Sequence, residues 1–286
     1  IGYKLTDMSN LRLGYNMRIY RPGIWYLNPY LNDTDPSYIS QGNSELDSEK
    51  SHAFNLSYSN FTQKFNINLS ARYSFTNNSI ENVTKLMPDT EIEGLKNPTG
   101  KDVLYSTYAN IGKTRRASVS AYVNWNATPR TRIYMNMSGD YSYMEGSEGM
   151  RNDGWSLFAY GGAQQTLPHD WRISLNVFGQ TPWIMLQGKG SSFFDYGLSV
   201  NKSFLNKRLT LSAFASNFFK KYMDQSSTTE GAGFIRESSY KYSRQRFGIS
   251  VSYRIGELKA SVKKAARTIS NDDVKSGGSG SGGGGE

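Results

Sequence analysis

Apolar residues recur at every second position through segment after segment of this chain, and that rhythm constrains the fold more than any other feature. In "RQRFGISVSYRIG", Phe247, Ile249, Val251, Tyr253 and Ile255 alternate with Gly248, Ser250, Ser252 and Arg254. A period of two marks a β-strand with one apolar and one polar face. The same pattern runs through Leu11, Leu13, Tyr15, Met17 and Ile19; Phe54, Leu56 and Tyr58; and Phe65, Ile67, Leu69, Ala71, Tyr73 and Phe75. It continues through 115–125, 131–143, 171–177, 195–200 and 208–215, with a looser run at 153–166. About ten strands result, several of them longer than the roughly 5–6 residues usual in soluble sheets.

The connections decide which face looks inward. Short ones fall at 59–64, 126–130, 167–170 and 205–208. Long ones fall at about 23–51, 86–102, 145–153, 182–192 and 222–239. The two kinds alternate, so each kind gathers at one end of the sheet. Short turns at one end and long loops at the other are the signature of a transmembrane barrel of the bacterial outer membrane, with turns periplasmic and loops outside. A soluble sandwich has no physical reason to keep that asymmetry. The polar rows agree: Asn66, Asn68, Ser70 and Arg72, or Ser118, Ser120 and Asn124, suit an aqueous lumen, whereas a dry core would leave them unpaired. The same rows generate Asn-x-Ser triplets such as Asn55–Ser57, which read as neighbouring lumenal positions rather than glycosylation acceptors.

Composition fits. Among 286 residues the apolar class is only 37%, yet there are 20 Tyr, and mean hydropathy is negative. No run approaches the roughly 18 apolar residues of a spanning helix. Cysteine is absent, which excludes disulfides and thiolate metal sites. The net charge of +9 is spread along the chain rather than gathered into a basic patch interleaved with stacking aromatics, so nucleic acid is not an expected partner. The opening "IGYKLTDMSN" lacks the charged start and apolar core of a signal peptide and reads as the end of a strand and a turn, as in a mature chain or a fragment.

The stretch from Arg21 to Ser59 carries Arg21-Pro22, Leu27-Asn28-Pro29-Tyr30, Asp35-Pro36 and Gly42-Asn43-x-x-Leu46-x-x-Glu49. With these motifs the sequence resembles the TonB-dependent receptor-like outer-membrane β-barrel family, departing from it at Ser44 and Ser48, where the family usually has proline. "NIGKTRRASVSAYVNW" and "RQRFGISVSYRIG" resemble that family's long strand and closing strand. The similarity covers roughly 1–256. It implies the C-terminal strands of a barrel of about 22 strands around an N-terminal plug, engaging TonB and, through regions outside this chain, a plug or a surface lipoprotein. No plug and no TonB-contacting segment can be read in these residues. An independent ten-strand barrel is the alternative architecture. A fragment would carry two unpaired edges that lipid does not tolerate, so it needs closure, dimerisation or a partner.

The candidate residues sort by position. Trp125 and Trp171 flank short turns and Trp155 and Trp183 flank long loops, as expected of aromatic belts at the two membrane interfaces. Trp25, Tyr26 and Tyr30 lie in an outer loop, where they either stack on a ring-bearing ligand or pack within the loop. Arg12, Arg132, Arg172, Arg208 and Arg254 share lumenal parity near the short-turn end. They form either a basic ring for a plug or anionic solutes, or simple rim charge. The acidic loop at 31–50 reads as a solvated loop, with an ion bridge to lipopolysaccharide as the alternative. His52 and His169 belong to opposite ends and cannot form one site. No catalytic constellation, metal site or cofactor is expected, so the chain is not read as an enzyme.

The expected organisation is therefore all-β: a barrel over 1–256, a short periplasmic helix over 257–275, and a Gly/Ser-rich disordered tail over 276–286. Outer-membrane lipids surround the barrel, and the insertion machinery reads "SYRIG" internally. The expected function is nutrient transport through a plugged barrel; the alternative is a structural or assembly barrel. The ligand is not legible.

Overall fold

A computed structural model describes residues 1–256 and the backbone of Val274–Lys275. The strands are β1 (Gly2–Thr6), β2 (Ser9–Pro22), β3 (Asn32–Asp35), β4 (Tyr38–Ser40), β5 (Glu49–Phe61), β6 (Phe65–Pro88), β7 (Asp102–Thr128), β8 (Thr131–Glu145) and β9 (Arg151–Leu167). They continue as β10 (Trp171–Gln180), β11 (Ile184–Met185), β12 (Gly188–Lys189), β13 (Phe193–Phe204), β14 (Leu209–Ser216), β15 (Tyr222–Gly231), β16 (Phe234–Ser243), β17 (Arg246–Tyr253) and β18 (Val274–Lys275). One short helix, α1 (Ile24–Leu27), follows β2.

The main sheet has the order β1-β2-β5-β6-β7-β8-β9-β10-β13-β14-β17, every neighbour antiparallel. The alternating segments of the sequence thus become ten successive strands, and the chain's opening adds the short β1. Among the described residues β1 pairs only with β2 and β17 only with β14, so the sheet is open at both edges. Most of these strands exceed the roughly 9–11 residues that cross a bilayer when tilted. The eight-residue β14 and β17 are prolonged by the Arg254 N–H bond to the Arg208 carbonyl (2.8 Å).

Two zones obey opposite rules. In the lower part of the sheet, here termed the wall, the apolar row points away from the protein: Leu13 is 52% exposed, Val119 62% and Val251 67%. The opposite row is laced by cross-strand polar contacts, such as Ser70 to Ser120 (2.6 Å), Ser118 to Asp140, and Arg132 Nε to Asn124 Oδ1 (2.6 Å). Groups that hydrogen-bond laterally on one face while aliphatic chains splay from the other suit a lumen inside and lipid outside.

Above it rises what we term the crown. β6 and β7 run 24 and 27 residues, far past any bilayer, and pair up to Pro88–Asp102. The loop expected at 86–102 is thus shorter, at 89–101. Register shifts between Thr76 and Ile80 interrupt the alternation, which is why sequence parity does not reveal this continuation. The expected loop at 222–239 is instead the β15–β16 hairpin of a second sheet, ordered β11-β12-β15-β16. Its Ser- and Thr-rich strands lack a greasy face because no lipid meets them. This sheet is fastened to β6 by Gln187, whose side chain accepts from Thr84 N–H (2.7 Å) and donates to the Thr84 carbonyl (2.9 Å).

β4 pairs in parallel with β7, through Tyr38–Leu104 to Ser40–Ser106, occupying the β7 edge above the point where β8 ends. The β2–β5 loop reaches past β5 and β6 to do so. Ile39 (2% exposed), Ile92 and Val103 form a small core there with Leu31, Met87, Leu95 and Tyr105 packed around it. The expected helix over 257–275 and tail over 276–286 lie outside the described residues, except that Val274–Lys275 pair in parallel with Arg21–Pro22 as a strand.

Candidate ligand cavity at the outer end of the barrel

The β2–β5 loop is folded by a glycine that nothing larger can replace. A Cβ on Gly42 would stand 2.3 Å from the Asn28 carbonyl oxygen and 2.7 Å from that of Tyr26. Gly42 N–H donates to the Asn28 carbonyl (3.0 Å), and Asn43 N–H to the Tyr26 carbonyl (2.6 Å). Asn43 Nδ2 donates to the Tyr108 carbonyl on β7 (3.0 Å). The Gly42-Asn43 motif therefore clamps α1 onto the inner side of β7.

That clamp buries Tyr26, whose ring meets Tyr108 edge-on with centroids 4.4 Å apart. Burial, with Tyr108 and the carboxylates of Glu49 and Glu81 nearby, pushes the Tyr26 phenol up to about 12, so it is a neutral donor at any physiological pH. Beneath Tyr26 opens a cavity of about 590 Å³. Its walls include Tyr20, Glu49, Arg72, Ser74, Thr76, Glu81, Tyr108 and Arg116 from β2, β5, β6 and β7. Ile184, Leu186 and Met144 close it on the far side as a buried cluster. Arg116 Nε donates to Ser142 Oγ (3.2 Å), fixing one cation; Glu49 Oε1 accepts from Ile80 N–H (2.5 Å), fixing one anion. The site thus offers two guanidinium and two carboxylate groups beside phenol rings. It can hold a polar, ring-bearing solute by charge-assisted hydrogen bonds and stacking; it has no nucleophile–base pair.

The outer-loop trio is divided. Tyr26 faces this cavity, whereas Trp25 and Tyr30 are exposed. The interface tryptophans are divided too. Trp125 and Trp171 lie beside the short turns with apolar-row neighbours, and Trp155 stacks obliquely on Tyr141 (5.4 Å) at the upper end of the wall. Trp183 instead lies across Gly190, where a Cβ would fall 2.0 Å from the indole, and lines the cavity.

Three of the five arginines occupy polar-row register positions at the short-turn end, Arg12 opposite Ser57, Arg132 opposite Gln164 and Arg172 opposite Asn201, while Arg208 and Arg254 lie just beyond the paired ends of β14 and β17. The guanidinium of Arg132 also stands 5.5 Å from the Tyr134 ring. None of the five lines the cavity. His52 sits in the apolar row, its Nδ1 2.8 Å from the Tyr15 hydroxyl and its ring stacked on Phe75 (4.9 Å). The acidic loop residues scatter. Ser37 N–H and hydroxyl both donate to Asp35 (2.9 and 2.7 Å), holding its carboxyl below the usual range. Among the described residues no three metal-ligating side chains converge.

Sequence reasoning missed the cavity residues Glu81 and Tyr108 because they follow the register shift, where parity no longer reports facing. Arg72 and Glu49 were visible as a polar-row cation and a loop acid, but nothing in one sequence brings them together.

Comparison with known proteins agrees with this architecture. No curated protein sequence matches the chain. Solved structures that share its fold include two receptors and a transporter. The siderophore receptor PirA from Pseudomonas aeruginosa is 16% identical with a TM-score of 0.55, the match covering 77% of this chain and 38% of that one. The copper transporter OprC is 15% identical with a TM-score of 0.59, covering 88% and 39%. A mutant of the ferric enterobactin receptor PfeA from Pseudomonas aeruginosa is 15% identical with a TM-score of 0.54, covering 88% and 39%. The chain spans about two-fifths of the length of each. Its own sequence matches a family over residues 1–253. With its lipid-facing rows, one-ended loops and lumen-side cavity, this chain belongs to the outer membrane protein beta-barrel family.

Proposed function

We propose that the chain supplies part of the wall of a barrel of about 22 strands that imports a nutrient past a plug, with TonB as the energy-coupling partner. The carrying observation is the cavity beneath Tyr26, placed on the lumen side of the outer opening and walled by Arg72, Arg116, Glu49 and Glu81. A solute captured there stands at the entrance of the channel. The basic positions Arg12, Arg132, Arg172, Arg208 and Arg254 serve at the opposite end, where they meet acidic groups of the plug. Trp125, Trp155 and Trp171 anchor the wall at its two lipid boundaries.

The test is uptake by intact cells with and without the protein, using labelled ferric siderophore, copper and oligosaccharide in turn. One of these accumulates only when the protein is present, and a protonophore stops it. Uptake of all three unchanged by removal of the protein sinks the transport reading in favour of an assembly barrel.

A further inference from the structure

The inner wall below the crown carries rings where a purely aqueous lining would carry small polar groups. Tyr160 and Phe178 are cross-strand neighbours on β9 and β10, their rings 6.3 Å apart at 68°, forming a corner. They border a second pocket of about 260 Å³, near the low end of the roughly 300–1,000 Å³ of drug-sized sites and so fit for a single ring. Gly197 lies on its lining, and beside it on β9 Gly162 keeps space open: a Cβ there would lie 2.4 Å from the Leu175 carbonyl oxygen and 2.6 Å from the Tyr134 hydroxyl.

That space lets the Tyr134 hydroxyl reach across β9 and donate to Asn176 Oδ1, which leaves the Asn176 amide NH2 to donate into the pocket. Asp195 is oriented by Arg244 (2.5 Å) and by Asn217 Nδ2 (2.7 Å), each using one carboxylate oxygen, so lone pairs remain to accept. Arg246 completes the rim, and its guanidinium has no partner among the described residues. An apolar ring face, an amide donor, a fixed carboxylate acceptor and an unpaired cation match one chemistry: a sugar ring that bears a carboxylate. A bare phosphate would leave the Tyr160–Phe178 ring corner unused, and a neutral apolar ligand would strand Arg246.

We propose that this pocket binds a hexuronate-type acidic sugar, its carbon face on the Tyr160–Phe178 corner, its hydroxyls on Asn176 and Asp195, and its carboxylate on Arg246. The site rests on the transport reading only for the water-filled lumen. The test is calorimetric titration of the full-length protein in detergent with digalacturonate and with a neutral disaccharide, folding being checked by heat-modifiable gel mobility. Tyr160→Ala weakens digalacturonate binding about tenfold or more. Arg246→Gln does so for the acidic sugar alone, leaving the weaker neutral binding unchanged. No heat with either sugar on a folded barrel overturns the proposal, as does undiminished digalacturonate affinity in Arg246→Gln. Binding without uptake keeps this site and removes the transport reading; uptake without sugar binding does the reverse.

Discussion

The wall and the crown are built from one chain by opposite solvent logic. In the wall, Val119 and Leu13 expose their side chains and the protein buries almost nothing apolar, because lipid supplies the apolar surroundings. In the crown, water is on all sides, and Ile39, Ile92 and Val103 withdraw into a core as in any small soluble domain. Only the strand-to-strand backbone hydrogen bonding is common to both. A substitution must therefore be judged by its zone, and the same chemical change has different consequences in the two.

The sharpest contrast is aliphatic truncation against charge insertion. Ile39→Ala removes a fully buried side chain and costs the crown about 2–5 kcal/mol, read as loss of amide-exchange protection in 37–41 and 103–106. Val119→Ala costs far less, since no protein core loses packing. Val119→Arg reverses the order, costing about 2–4 kcal/mol of stability in urea titrations from lipid vesicles because it forces a cation into hydrocarbon. Equal effects of Val119→Ala and Ile39→Ala would break the two-zone account.

Next in size is the pH response of the crown, which has two arms. The Tyr26 phenol is raised from 10.0 to about 12, so the folded state holds its proton more firmly. That contribution is whole below pH 10 and is lost as pH climbs through 12; Tyr26→Phe flattens the alkaline arm. Asp89 lies at the crown's other margin. Thr99 N–H and hydroxyl donate to it at 2.6 and 2.8 Å and Gly100 N–H at 2.7 Å, led by the Thr99 backbone bond, which lowers its pKa. Its contribution is present above the ordinary carboxylate pKa and disappears as pH falls through the depressed value. Amide exchange at Thr99 and Gly100 therefore quickens in acid, and Asp89→Asn abolishes that dependence.

The smallest expected effect is at a periplasmic turn. Leu205, Asn206 and Lys207 all adopt left-handed conformations, with φ of 51°, 54° and 66°. Lys207→Gly relieves about 1 kcal/mol of strain, measurable as a modest rise in the urea midpoint. An unchanged midpoint would show that the turn's strain is offset by contacts of the lysine.

The wall was legible in the sequence and the crown mostly was not, for the reason that separates them. Lipid on one side and water on the other impose strict alternation, so Leu11 to Ile19 or Phe247 to Ile255 announce their facing residue by residue. Past Thr76 both faces of β6 meet protein or water. The register slips, and Ile80, Val83 and Thr84 are all buried without any period. The same indifference hid the β15–β16 hairpin, whose Ser-Ser-Thr-Thr run reads as a loop. The second pocket was not legible: β9 alternates only loosely, Tyr196 on its lining reads as an apolar-row residue, and the meeting of Tyr134 with Asn176 needs the register of three strands.

The β4–β7 pairing joins segments from two different hairpins, with two whole strands of wall between them. Contacts of such long range form late, after nearer pairings have shortened the distance between their ends. Biogenesis therefore has a natural order. The lower staves enter the bilayer as a sheet while the surface loops are still slack, and the canopy over the opening locks only afterwards. A defect confined to that canopy leaves the staves correctly inserted and the opening without its cover.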